Sequence, residues 1–243
     1  MRTIVTALLI LAAGAGATSA ADLRPVPVRA PPQVQAGYNW TGFYLGVNVG
    51  GGWSNANSEF STAGFPSFAS VDNHMTGVIA GGQAGYNWQS GAWVFGVEAD
   101  FQYSGMKGGI SAPCPPGICA GLAASFDHDM PWFGTARGRF GYASAGWLIY
   151  ATGGYAYTRL ESNAFASAGG LAVDIQRDES RHGWTAGGGI EVAFARNWSA
   201  KVEYLFMDFG TRDGSWMLTG LPTITDSTHL QSNIVRGGVN YRF

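Results

Sequence analysis

The pattern that most limits what this chain can fold into is an alternation of apolar residues with polar or small ones, repeated in eight separate segments. In the clearest segment, AWVFGVEADFQYSG, the residues Phe95, Val97 and Phe101 alternate with Glu98 and Asp100. A side-chain period of two over about ten residues indicates a β-strand with one apolar and one polar face. The pattern therefore predicts an all-β fold of eight strands.

The connections between these segments alternate in length, which favours a membrane barrel over a soluble β-sandwich with the same alternation. Three connections are short, at QSG, ASAG and ARN, whereas four are long, at residues 54–76, 104–130, 160–182 and 209–230. Outer-membrane barrels combine short periplasmic turns with long outer loops in this way. The predicted fold is an eight-stranded antiparallel transmembrane β-barrel with short periplasmic turns and four long outer loops.

The tryptophans support the same fold, because eight of the nine fall at segment ends. They occupy positions 40, 53, 88, 93, 132, 147, 184 and 198. Aromatic rings at strand ends are typical of the two membrane–water borders. Strands of roughly 10–13 residues, tilted by about 40°, would cover the apolar band between these borders. Because unpaired backbone groups are costly in lipid, the last segment, IVRGGVNYRF, is expected to pair with the first and close the sheet.

The N-terminus indicates export. Residues 1–21 combine a basic residue, an apolar run and small residues before Ala20 and Ala21, which is the pattern of a secretory signal peptide cleaved after one of these alanines. The apolar run of about ten residues is too short to span a bilayer, which needs roughly twenty. A Pro-rich stretch at 22–38 predicts an extended periplasmic linker, and residues 39–243 form the predicted barrel.

The composition excludes several classes of function. Charged residues make up 12% of the chain and the net charge is −2, so there is no basic surface for nucleic acid. No hydrolase elbow, phosphate-binding loop or Cys/His metal cluster occurs, and we expect neither an enzyme nor a cofactor. The two cysteines, Cys114 and Cys119, are predicted to form a disulfide in one outer loop, because an exported protein meets an oxidising compartment.

Charged residues on the polar strand faces are expected to point into the lumen, where four acids meet four bases. They are Glu98, Asp100, Glu191 and Glu203, with Arg137, Arg139, Lys201 and Arg236. Buried charges are costly unless paired, and similar heights along the barrel match Glu98 with Arg137 and Glu191 with Lys201. An eight-stranded barrel is too narrow for a wide aqueous channel. We therefore interpret the eight residues as an ion-paired plug, with an ion pathway through the lumen as the alternative.

Four histidines are predicted to lie at one height near the outer rim, on the outward faces of the even-numbered strands. They are His74, His128, His182 and His229. Three interpretations are open: polar residues of the rim, contacts with head groups of the outer leaflet, or a ring that binds metal or haem. The outward orientation and the wide spacing around the barrel weigh against a shared metal ion.

Several blocks of the chain, in order, resemble a known family. WTGFYLGVNVGGGW, WVFGVEADFQYSG, WFGTARGRFGYA, WSAKVEYLFMDFG and the terminal RGGVNYRF are similar to the small porin-like outer-membrane proteins of alphaproteobacteria, a group of major surface antigens. The resemblance implies an abundant eight-stranded barrel of the Gram-negative outer membrane that supports envelope integrity. Some relatives are described as weak porins or haem binders, and no ligand-binding motif of the family maps onto a residue here.

The expected function is structural, with outer-membrane lipids and lipopolysaccharide as partners and the outer loops available for surface interactions. A small-solute porin is the first alternative, and a surface receptor, adhesin or haem binder acting through the outer loops is the second. The C-terminal Val239, Tyr241 and Phe243 also resemble the aromatic signal that the outer-membrane assembly machinery reads. Neither the residues nor the resemblance indicates an oligomeric state.

Overall fold

The chain folds into a closed barrel of eight antiparallel strands arranged in chain order. The computed structural model describes residues 38–62, 65–113, 123–168, 171–216 and 224–243, all within one compact unit from Gly37 to Phe243. The strands are β1 (Gly42–Thr62), β2 (Phe65–Ser90), β3 (Trp93–Pro113), β4 (Ala123–Ser144), β5 (Trp147–Ala168), β6 (Leu171–Ala193), β7 (Trp198–Trp216) and β8 (Ile224–Arg242). The barrel closes because β1 pairs with β8 along nearly the whole of both strands. The predicted fold class is confirmed.

Three short turns lie together at one end of the barrel, called the turn end here; the opposite end is called the loop end. The turns connect β2 to β3, β4 to β5 and β6 to β7, as the short connections in the sequence predict. In the β4–β5 turn, Ala145 and Gly146 both have positive φ, at 47° and 88°. Two successive positive φ values match the twist of an antiparallel hairpin, and this explains the two-residue turn.

The strands are longer than the sequence pattern predicts, with between 19 and 26 residues each. The 10–13 residues expected to cover the apolar band are only part of each strand. The prediction of loops over residues 54–76, 104–130, 160–182 and 209–230 was wrong, since most described residues of these ranges extend the strands. On β1, Asn57 and Glu59 are exposed while Ala56 and Ser58 beside them are buried. Backbone pairing thus continues into a region where both strand faces carry polar or small residues, and the apolar period that marks a strand in the sequence is lost.

The outward face is mostly apolar over the half of the barrel next to the turn end. Val47 on β1 is 68% exposed there and Phe101 on β3 is 59% exposed. Aromatic side chains border this apolar band on both sides, with Trp88, Trp93, Trp147 and Trp198 near the turn end and Trp53 and Trp184 on the other border. The tryptophans thus lie where the sequence pattern predicts, with one exception.

The exception is Trp40, which is only 2% exposed and does not belong to the aromatic border. It precedes β1 and packs inside the turn end against Val94, Leu148 and Tyr150. Its backbone N–H donates to Gln89 Oε1 over 2.7 Å, which holds the segment across the mouth of the barrel. The prediction of a border position was wrong because the segment before β1 folds across the lumen instead of extending along the wall.

Two of the eight ladders stop at the loop-end side of the apolar band. The β6–β7 register runs from Trp184 opposite Asp208 to Ala193 opposite Ser199, and the β2–β3 register begins at Thr76 opposite Lys107. Within the described parts of these strands, neither ladder continues further toward the loop end. The other six ladders do continue. In the described loop-end half, ladders therefore join β7–β8–β1–β2 and β3–β4–β5–β6 into two four-stranded groups. The stretches without a ladder between them are called the β6–β7 seam and the β2–β3 seam.

Candidate functional site in the barrel lumen

The strand register places all eight predicted charged residues on the inner wall. Glu98 lies directly opposite Arg137 across the β3–β4 ladder, and Glu203 lies opposite Arg236 across the β7–β8 ladder. The side chains of all eight are almost fully buried. They meet in one cluster, called the ion-pair layer, which consists of Glu98, Asp100, Arg137, Arg139, Glu191, Lys201, Glu203 and Arg236.

Two arginines bind three carboxylates at the centre of the ion-pair layer. Arg137 contacts Glu98, lies 2.8 Å from Asp100 and 3.1 Å from Glu203. Arg236 lies 2.6 Å from Glu203 and 3.0 Å from Asp100. Arg236 also lies 3.7 Å from Glu98, so each of the three acids contacts both arginines, and side chains join four strands, β3, β4, β7 and β8. Such multiple pairing is what a buried charge requires in order to offset the loss of hydration.

The other two bases, Lys201 and Arg139, bind carboxylates around this centre. Lys201 Nζ lies 3.0 Å from both carboxylate oxygens of Glu98. Arg139 lies 2.8 Å from Glu191, and its guanidinium carbon is 3.9 Å from the centre of the Tyr150 ring. Glu191 and Lys201 are direct cross-strand neighbours, as their similar heights predict, but their charged ends bind these different partners.

Neutral side chains satisfy the remaining carboxylate oxygens. Tyr44 donates its hydroxyl to Glu98 over 2.7 Å and Tyr150 donates to Glu203 over 3.0 Å. Thr135 donates to Asp100 over 2.7 Å, and Asn240 donates to Glu191 over the same distance. The two tyrosines were not among the lumen residues predicted from the sequence. Their signal was present, since Tyr44 falls on the polar face of its segment among glycines and asparagines.

A second, apolar layer fills the lumen on the loop-end side of the ion-pair layer. Its fully buried members, called the apolar layer, are Ala56, Met75, Ile79, Met106, Met130, Phe133, Ala156, Leu160, Leu205, Met207, Phe209, Leu230 and Ile234. Leu205 and Met207 follow Lys201 and Glu203 on the same inner face of β7. This layer was not predicted from the sequence, because a side-chain period of two does not distinguish an apolar residue that faces the lumen from one that faces outward.

A bulge in β4 reverses the orientation of one predicted histidine. The register of β4 against β5 shifts between Asp129 and Trp132, so that Met130 and Phe133 are both buried on the inner face. His128 is therefore on the same side of β4 as Met130, and it bonds to Ser162 over 2.9 Å. The prediction of an outward His128 was wrong, because the bulge adds a residue that simple alternation does not count.

The other three histidines lie on the outward face and bond to neighbouring strands. His74 bonds to Asn55 over 2.7 Å, His229 bonds to Thr211 over 2.9 Å, and His182 bonds to Tyr155. The four histidines do not form a ring, since they differ in orientation and each has its own partner. Among the described residues, no group of three or more His, Cys, Asp or Glu side chains could hold a metal ion.

The C-terminal residues complete the wall at the turn end. Phe243 donates its backbone N–H to the carbonyl of Phe43 over 3.0 Å. Its ring lies 5.1 Å from that of Tyr241 and is 68% exposed, on the border of the apolar band. The predicted disulfide between Cys114 and Cys119, the signal peptide and nearly all of the Pro-rich linker fall outside the described residues.

Comparison with known proteins places this geometry in a family. A family profile described as outer membrane protein beta-barrel domain matches residues 5–243. The 31 kDa outer-membrane immunogenic protein of Brucella melitensis is 36% identical over 221 residues, which cover 85% of each chain. The 22 kDa outer membrane protein of Rhizobium leguminosarum is 30% identical and covers 84% of this chain and 79% of its own.

Solved structures show the same fold at low identity. The outer membrane protein OprG from Pseudomonas aeruginosa superposes with a TM-score of 0.51 at 10% identity, covering 84% of this chain and 98% of its own. The outer membrane protease OmpT from Escherichia coli gives a TM-score of 0.54 at 10% identity, with 83% and 97% covered. No helix among the described residues is long and apolar enough to cross a membrane. From the matched profile and the curated relatives, the chain belongs to the outer-membrane β-barrel protein family.

Proposed function

We propose that the protein is a non-enzymatic barrel of the outer membrane whose closed lumen makes it a structural component of the envelope. The observation that supports this most directly is the pair of layers that fills the lumen. Eight buried charges bind one another in the ion-pair layer, and four methionines with other apolar side chains pack in the apolar layer above it.

The two layers oppose passage for different physical reasons. A solute crossing the ion-pair layer would have to separate buried charges, which costs several kcal/mol when one partner is left unpaired. An ion crossing the apolar layer would lose its hydration without gaining a polar partner. Four acids and four bases also cancel, so the ion-pair layer presents no net charge that would select a mobile ion.

Planar-bilayer recording of the purified full chain tests this function. We expect no steady single-channel openings, because neither layer leaves a hydrated path. The matched control is a variant with Arg137→Ala and Leu205→Ser, in which both layers are weakened, and it should raise the frequency of current fluctuations. Steady openings of the unmodified protein would instead support the small-solute porin alternative.

The loop-end half supports a role in surface interactions. Its strands carry polar residues on their outward faces, which suits contact with water and not with lipid tails. We assign this half to the cell surface, with lipopolysaccharide beside it and outer-membrane lipids around the apolar band. The relatives named immunogenic outer-membrane proteins are consistent with such exposure. Surface labelling of intact cells at Asn57→Cys, with Val47→Cys in the apolar band as the protected control, tests this orientation.

A further inference from the structure

The β6–β7 seam begins immediately beyond the apolar band. The last paired residues are Trp184 and Asp208, although β6 extends to Leu171 and β7 to Trp216. Unpaired strand edges of this length are unusual unless something covers or opposes them. The sequence of the two edges contains a reason for the separation.

If β6 and β7 were paired along the seam, two arginines would lie directly opposite each other. A bulge at Gly210, whose φ is 65°, adds one residue to β7. Counted past this bulge, a continued ladder would place Arg181 of β6 opposite Arg212 of β7. Both belong to the inner face, since Arg181 is buried there and Arg212 is in register with the buried Thr228. Like charges directly opposite each other destabilise a strand pair.

The guanidinium of Arg181 is buried, and only some of its hydrogen-bond donors have partners. Its side chain is 3% exposed and lies 3.1 Å from Glu179. It donates to the carbonyl of Thr228 over 3.2 Å, across the seam, while its Nε has no hydrogen-bond partner among the described groups. Burial lowers the pKa of Arg181, Glu179 opposes this, and the positive charges of Arg212 and Arg177 lower the pKa further. Glu179 is therefore the carboxylate that pairs with Arg181, and the Arg181 guanidinium retains a free buried donor.

We propose that Arg181 and Arg212 form an oxyanion-binding site in the β6–β7 seam and that a phosphate group is its ligand. Arginine presents a planar set of donors that suits the oxygens of phosphate. A phosphate between the two side chains would accept from the free Nε of Arg181 and replace the repulsion with two attractions. Its binding draws the free edges of β6 and β7 together.

The position of the seam determines which phosphates can reach it. The seam begins directly beyond the aromatic border at Trp184, at the height where head groups of the surrounding lipid would lie. Phosphate esters of lipopolysaccharide and inorganic phosphate share the chemistry that the two arginines recognise. The experiment therefore includes both sources.

Amide hydrogen exchange of the full chain in detergent micelles tests the proposal. Inorganic phosphate, compared with chloride at matched ionic strength, should slow exchange in the β6 edge, residues 171–183, and in the β7 edge, residues 209–216. Arg212→Gln should weaken the apparent phosphate affinity by about tenfold or more, as expected for lost hydrogen bonds between charged groups. Glu179→Gln should strengthen it, because the competing carboxylate is removed.

Arg159→Gln is the matched control, because Arg159 lies at the same height on β5 but on the outward face, where it pairs with Asp178. This variant should respond to phosphate like the unmodified protein. Arg181→Gln should abolish the protection by phosphate. If that variant does not assemble, the phosphate affinity of Arg212→Gln, a change at an exposed position, decides the test. Protection that falls equally in Arg212→Gln and Arg159→Gln would overturn the site.

Lipopolysaccharide with its phosphates, and the same lipid after dephosphorylation, identify the source. Protection by the phosphorylated lipid at concentrations where inorganic phosphate has no effect would assign the site to a lipid head group. Protection by inorganic phosphate alone would assign it to the free ion. No protection by either, in a protein that shows the gel shift of a folded barrel, would contradict the proposal.

Discussion

Arg137 forms ion pairs with three buried carboxylates in the lumen. Its guanidinium contacts Glu98, Asp100 and Glu203, none of which has any solvent-exposed side-chain surface. In such a setting the net value of the pairing is small, since desolvation opposes the attraction between charges. The cost of removing one partner is large, because the carboxylates that remain cannot be rehydrated.

We expect Arg137→Ala to lower the free energy of unfolding by about 3–5 kcal/mol, the range for breaking a buried ion pair. Urea unfolding in detergent micelles, followed by the gel shift between folded and unfolded forms, measures the change. Arg159→Ala provides the comparison, because its ion pair with Asp178 is exposed, and it should leave the unfolding midpoint unchanged. Equal midpoints for Arg137→Ala and the unmodified protein would refute the ion-pair layer as a stabilising element.

Neighbouring glycines on β5 show how closely the strands approach one another. A Cβ atom added to Gly154 would lie 2.1 Å from the carbonyl oxygen of Ala136, which is backbone and cannot move aside without shifting β4. A Cβ added to Gly153 would meet nothing nearer than 3.5 Å. The two positions differ only in the wall face toward which the side chain points.

Gly154→Ala should therefore reduce the yield of folded barrel, while Gly153→Ala should not. The semi-native gel shift after refolding into detergent reports the folded fraction of each variant. Gly153→Ala serves as the control for helix- or strand-propensity effects, which favour alanine over glycine in both cases. Similar folded fractions for the two variants would show that the β4–β5 approach is looser than the geometry indicates.

At the scale of strands, the sequence predicts number, order and turns well and predicts strand ends poorly. Glu98 and Arg137 could be matched across a ladder because a short turn fixes the register of its hairpin. The strand extensions could not be predicted, since Asn57 and Glu59 carry no apolar signal. The bulge beside His128 was missed because alternation extended without an extra residue places every residue beyond the bulge on the wrong face.

The whole barrel depends on one closing ladder, between β1 and β8. Its turn-end limit is Phe243, which contributes one backbone hydrogen bond to Phe43 and an exposed aromatic ring. The direct contribution to stability is small, of the order of 1 kcal/mol for a single hydrogen bond. We therefore predict that the larger role of this residue lies in assembly, because it resembles a C-terminal aromatic signal.

Deleting Phe243 should lower the amount of barrel in the outer membrane of cells much more than it lowers stability in detergent. Quantitative blotting of outer-membrane fractions, beside urea unfolding of the purified variant, separates the two effects. Phe243→Tyr keeps an aromatic end and should restore the membrane level. Equal membrane levels for the deletion and the unmodified protein would contradict the assembly role.

Because the strands continue beyond the apolar band, a molecule that binds this surface contacts side chains of several neighbouring strands at once. On the outward face of the loop-end half, Asn57 of β1 stands between Asp72 of β2 and His229 of β8. An antibody footprint there would combine side chains from three strands, one of them far away in the sequence. A synthetic peptide would reproduce the side chains of only one strand of such an epitope. Boiling, which unfolds the barrel, would destroy the epitope. Recognition of this face therefore depends on the folded barrel.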